Sequence, residues 1–113
     1  FMVVSEAADF MEADLVAGKT YYALVTPRMG LWKARFSLWP ISNDPEAAHS
    51  LKSKNFKGWV EDTDLVTNSP KSLAWYERVK ASIEKKRAEY WPVWQEKSAD
   101  AVAERTLKPT DGL

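Results

Sequence analysis

Apolar and polar positions alternate most clearly over residues 31–38, where Trp32, Ala34, Phe36 and Leu38 fall on one side and Leu31, Lys33, Arg35 and Ser37 on the other. Successive side chains of a strand point to opposite faces, so this period predicts a strand over Leu31–Ile41 with one buried face. Trp32, Ala34, Phe36 and Leu38 are expected in the core, with Lys33 and Arg35 in water. Upstream, Tyr21–Thr26 is apolar on both faces, as in a strand covered on both sides. Pro27-Arg28-Met29-Gly30 between them carries turn chemistry, Pro presetting φ and Gly supplying positive φ. Thr20–Ile41 is thus expected to form a β-hairpin, around which the rest of the chain is arranged. Phe1–Val4 has the texture of a strand. In Ala8–Leu15, Met11, Ala13 and Leu15 share one face and Phe10, Glu12 and Asp14 the other, which predicts a further strand. Val16–Lys19 makes the turn to Thr20, with Gly18 at positive φ. Four strands with short connections predict an antiparallel meander or small sandwich.

The pattern changes at Ser42. Asn43-Asp44-Pro45-Glu46 has the residues of a helix start and predicts a short helix over Pro45–Leu51. A second is expected over Ser53–Val60, burying Phe56, Trp59 and Val60, and Asp64–Thr67 is expected to be extended, as an edge strand. Ser69 as cap and Pro70 at the first helical position open the longest element. Leu73, Tyr76, Val79, Ile83, Tyr90 and Trp94 mark its apolar stripe. The first half, through Ile83, is expected to dock on the sheet, leaving Lys85, Lys86 and Glu89 in water. Pro92 predicts a kink or break near Tyr90-Trp91, followed by a second helical piece over Val93–Thr106. Tyr90, Trp91 and Trp94 would form an aromatic cluster, covered by Val102 and Leu107 of a folded-back C-terminal segment. The class is α+β: antiparallel strands in the N-terminal half, then short helices and one long C-terminal helix.

A chain of 113 residues is expected to form a single domain, 1–113. Phe1-Met2-Val3-Val4 is a strand already under way, so upstream residues are expected to precede it. Sixteen basic and sixteen acidic residues cancel, so the charge gives no nucleic-acid footprint, and no nucleic-acid partner is expected. The distribution is uneven: residues 70–97 hold seven Lys/Arg against four Asp/Glu, and residues 42–69 hold three against five. The absence of cysteine excludes disulfides, thiol catalysis and zinc sites with thiolate ligands.

Candidate chemistry is sparse, and no catalytic, cofactor-binding or metal-binding set stands out. His49, the only histidine, has no flanking nucleophile motif and is expected at the surface. Glu61, Asp62 and Asp64 lack the glycine and distal glutamate of a calcium loop and are expected as an acidic turn. The six Trp residues (32, 39, 59, 75, 91 and 94) are many for this length. Trp32 and Trp59 are expected in the core. Trp39, Trp75, Tyr90, Trp91 and Trp94, with Lys85 and Lys86, are the candidate interaction surface, since aromatic side chains joined to basic ones serve protein, sugar and membrane contacts alike.

The segment Gly18-Lys19-Thr20-Tyr21-Tyr22, at the start of a central strand, resembles a group of uncharacterised bacterial exported proteins, many of them lipoproteins, with a compact β domain. The likeness extends through Phe36 and Leu38 and has a second echo in Leu107–Gly112 after a long charged helix. It covers about a third of the chain by motif reading, and its motifs are structural. The resemblance implies a signal peptide, a location in the bacterial periplasm or attached to the outer membrane, and membrane anchoring through residues upstream of Phe1. It carries no catalytic residues across.

These features favour a non-enzymatic envelope domain that binds a protein partner or envelope component. Two alternatives remain: a glycan or small-ligand binding module using exposed Trp, and an enzyme domain whose site is completed by residues upstream of Phe1. Neither a cofactor nor an oligomeric state is indicated.

Overall fold

The structure, a computed structural model, describes residues 1–28 and 35–113. The expected turn residues Met29 and Gly30, and the expected positions of Leu31, Trp32, Lys33 and Ala34, lie outside the described residues. The chain is α+β, with antiparallel strands in its N-terminal half followed by helices, one of them long. Strand β1 (Met2–Val4) pairs antiparallel with β2 (Ala8–Phe10), and β4 (Ala23–Arg28) pairs antiparallel with β5 (Arg35–Pro40). The strand expected over Ala8–Leu15 is divided at Met11, whose N–H bonds Phe1 O at 3.0 Å. Beyond Met11 the chain changes partner. β3 (Glu12–Ala13) pairs in parallel with β6 (Thr106–Leu107), ninety-odd residues later. Both Phe10 and Met11 are buried in consequence, whereas Leu15 is exposed.

The β4–β5 ladder explains how two prolines fit into strands. Ile41 N–H bonds Tyr22 O at 3.0 Å, so every second pair from there, including Leu24↔Trp39 and Thr26↔Ser37, is a hydrogen-bonded one. Pro27 (opposite Phe36) and Pro40 (opposite Ala23) fall at the intervening positions, where no N–H is required by the ladder. Leu38 lies at such a position too, so its N–H and C=O point off the free edge of β5. Two side chains take them: Asp9 Oδ2 accepts from Leu38 N–H at 2.9 Å, and Arg105 Nε donates to Leu38 O at 2.8 Å. Arg105 and Asp9 are also bonded to each other, and both are buried. The ion pair therefore occupies the place of a neighbouring strand and closes the edge.

Met11, Leu38 and Leu107 form the core, with Val3, Ala13 and Tyr21 against it. Leu38 is buried, as its pattern predicts, and Arg35 is exposed. Phe36 is a correction, since it is 38% exposed while Ser37 is buried. The cover on this side of the hairpin reaches Leu38 and stops short of Phe36, and the opposite face is covered as well. There Tyr22, which shares a face with Leu24 and Trp39, meets Phe56 edge-on at 5.0 Å. Phe56 belongs to α1 (Lys54–Glu61), capped by Ser53, whose hydroxyl accepts from Asn55 N. Phe56 and Trp59 are half-buried, as expected of that helix, but Val60 is exposed.

Three further expectations are corrected. Residues 45–51 form turns and bends instead of a helix. Ser42 Oγ accepts from Asp44 N and Asp44 Oδ1 from Glu46 N, so side chains offer the backbone a competing turn. Ser42 also exchanges main-chain bonds with His49 O and Leu51 N, both 2.9 Å, which closes the segment into a loop. Residues 64–67 form no strand and are exposed. Finally, α2 (Pro70–Gln95) runs without interruption through Pro92, and the break comes at 96–98, before α3 (Ala99–Ala103).

Helix α2 begins as its residues predict. Ser69 accepts from Ser72 N, and Ser72 Oγ accepts from Ser69 N. Its docking is the reverse of expectation. Leu73 and Tyr76, in the first half, are 53% and 40% exposed, while Trp94 near the end is buried. After α3 the chain turns back through β6 and a short 3₁₀ turn, Pro109–Asp111. Asp111 is buried, accepting from Ser42 Oγ, Asn43 N and Lys108 N. Thr20 and Leu113 exchange reciprocal main-chain bonds of 2.8 Å, and Tyr21 OH donates to Pro109 O at 3.0 Å.

Candidate interaction sites

The seven residues singled out from the sequence do not converge on one surface. Trp91 and Trp94 meet β2 through Phe10, with ring centroids 5.0 and 6.0 Å away, and Tyr90 is half-buried in the same junction. Two basic residues precede them: Lys85 is exposed, while Lys86 Nζ donates to Glu6 O at 2.8 Å and so pins α2 to the β1–β2 turn. Trp94 faces inward, its ring 5.6 Å from both Arg105 Cζ and Lys97 Nζ. Its indole N–H is buried without a hydrogen-bond partner. The aromatic cluster thus packs on the sheet itself and on Arg105 of the returning C-terminal segment. Val102, expected as cover, is half-buried, and Leu107 belongs to the core.

Trp39 is half-buried, with the Arg105 guanidinium 4.3 Å from its ring centroid. His49 was expected at the surface; it is half-buried between Trp39 and Trp59, at 5.6 and 6.1 Å. The Trp39 and His49 rings border a groove of about 450 Å³ whose polar lining includes Asp44, Glu46, Glu104 and Lys108. Sequence period could not bring His49 here, because the loop that carries it is closed by Ser42. Among the described residues, no group of three or more His, Asp or Glu side chains is arranged to hold a metal ion. The acidic run Glu61–Asp64 is exposed, with Glu61 paired to Lys57 at 3.7 Å.

Trp75 stands apart, 53% exposed on the projecting first half of α2. The segment leading into that half exposes Leu65 and Val66, at 96% and 82%. With Leu73 and Tyr76 these are exposed apolar side chains within residues 65–76, flanked by Glu61, Asp62 and Asp64 before them and by Arg78 and Lys80 after.

A third feature carries residues that sequence reading passed over. Arg28 and Arg35 are directly opposite in the β4–β5 register, at the turn end of the hairpin. With Lys97 they border a cleft of about 350 Å³, walled by Phe10, Phe36 and Trp94. The sequence pattern places Arg28 in the turn Pro27–Gly30; Pro27 and Arg28 belong instead to β4, and that longer register is what brings Arg28 opposite Arg35.

No family model matches the chain, and no curated protein and no solved structure matches it.

Proposed function

We propose that this chain is a non-catalytic binding module of the bacterial envelope, and that it holds a protein partner through the first half of α2. The exposure of Leu65, Val66, Leu73, Trp75 and Tyr76 on one projecting segment carries this reading. Apolar surface left exposed in that concentration marks an interaction site. Lys71, Arg78 and Lys80 border the helical part and Glu61, Asp62 and Asp64 the segment leading into it, so the partner presents an apolar groove with charges of both signs at its rim. The resemblance at Gly18–Tyr22 supports the envelope location, with anchoring through residues upstream. No helix among the described residues is long and apolar enough to cross a membrane. We take the chain as a binder rather than an enzyme because its only imidazole lies edge-on between two indoles.

The test is a photo-reactive phenylalanine analogue at Trp75, with the same analogue at Lys19 as control. A discrete adduct to one envelope protein from position 75 alone supports the reading. No adduct, or an adduct with the mass of two copies of this chain, overturns it.

The groove beside Trp39 favours glycan binding as a second reading. Carboxylates at Asp44 and Glu46 with an aromatic wall suit sugar hydroxyls and ring faces. Titration with cell-wall saccharides would change tryptophan emission, and His49→Ala would abolish that change.

A further inference from the structure

We propose that the cleft between β2, the turn end of the β4–β5 hairpin and the residues just after α2 binds a phosphate monoester carried on a small apolar body.

Arg28 and Arg35 are cross-strand partners and so project from the same face of the hairpin, both exposed. Like charges directly opposite each other destabilise an antiparallel pair. Lys97 adds a third cation to the lining. Among the described residues none of the three forms an ion pair. Asp9, the carboxylate in the same lining, has its charge taken by Arg105. Among the described residues nothing offsets these three positive charges, an arrangement that costs stability unless an anion fills the cleft.

A second observation concerns Trp94, which lines this cleft and is only 3% exposed. Its indole N–H has no partner. A buried donor left unsatisfied carries a desolvation penalty, so the setting of this ring in the cleft wall is sensitive to what lies against it. Phe36, in the same lining, occupies a ladder position whose N–H points off the free edge of β5, as at Leu38, and supplies a further donor. Two guanidinium forks, an ammonium and the Phe36 N–H match an oxyanion with several acceptor oxygens. A dianionic phosphate offsets two of the three charges, where a carboxylate offsets one. Phe10, Phe36 and Trp94 provide the apolar wall for whatever carries the phosphate, either a small soluble ester or the headgroup of an anionic lipid.

The probes are phenyl phosphate, free in solution, and phosphatidylcholine vesicles with and without phosphatidic acid. The readouts are the Trp94 indole resonance, for the soluble ester, and co-sedimentation, for the vesicles. A saturable indole shift with a Kd below about 1 mM, weakened at least about tenfold by Arg28→Gln or Arg35→Gln, supports the proposal with a soluble ligand. Binding only to vesicles containing phosphatidic acid, lost in the same variants, supports it with a lipid source. Both variants should also melt no lower than the parent, because each removes a repulsion. Absence of binding to either probe, or binding indifferent to both substitutions, overturns it. Lys97→Gln, remote from the ladder, gives the same discrimination without touching the hairpin.

Discussion

Asp9 and Arg105 meet across 96 positions of sequence to grip one residue, Leu38, by both of its outward main-chain groups. Each of the two alone would be a buried charge; together they satisfy an edge that would otherwise carry unpaired polar groups. Breaking a buried pair from one side leaves the other charge uncompensated. Asp9→Ala and Arg105→Ala are each expected to cost about 3–5 kcal/mol. The double variant should cost less than the sum, because both single variants disrupt the same network. Urea unfolding of the three variants measures this.

Gly112 and Gly58 make opposite predictions for the same substitution. A Cβ on Gly112 would lie 2.7 Å from Tyr21 Cζ and 2.8 Å from Lys19 Cβ. Gly112→Ala should therefore push Tyr21 from its bonds to Pro109 and Val16 and cost about 1–3 kcal/mol. Around Gly58, inside α1, a Cβ meets nothing within 4 Å. Gly58→Ala should stabilise by about 0.5–1 kcal/mol. Thermal melts of both variants decide, and a loss for Gly58→Ala would refute the open setting described for α1.

Leu38→Ala should cost about 2–5 kcal/mol, through lost transfer energy and the cavity left against Met11 and Leu107. Phe36→Ala, on the same strand face but 38% exposed, should cost less than Leu38→Ala, about 1–2 kcal/mol by burial bookkeeping. Equal losses would place both residues in the core.

The first half of α2 gains nothing from deep burial, so its cap matters locally. Ser69→Ala removes the acceptor for Ser72 N and should cost about 1 kcal/mol. The loss should appear in amide exchange over residues 72–78 and leave protection at Trp94 unchanged, since opening of this half is separate from global unfolding.

Local chemistry was legible in the sequence. Ala23–Arg28 and Arg35–Pro40 pair as the expected hairpin, although Thr20 pairs with Leu113 and Pro27-Arg28 lie in β4 instead of the turn, and Ser69-Pro70 starts α2. What failed was the assignment of partners. The stripe from Leu73 to Trp94 identifies a helix face but says nothing about which half finds a surface; Phe10 and Lys86 decide that, over long range. Residues 45–51 carried helix-start residues that serve a loop closed by Ser42 and Asp111. Pairing of β3 with β6 left no local trace, because two residues are too short for a period. The role of Arg105 was hidden for a related reason: a buried arginine has no sequence pattern apart from the acid it meets.

The distance between Asp9 and Arg105 also sets a clock for the newly made chain. At about 5–20 residues per second, synthesis takes roughly 5–20 s to travel from one partner to the other. Throughout that interval the hairpin has an open flank, and the acid meant to cover Leu38 has no counter-charge. The protein is thus built with its lock made first and its key 96 residues later, and closure of this edge is held back until Arg105 has been made.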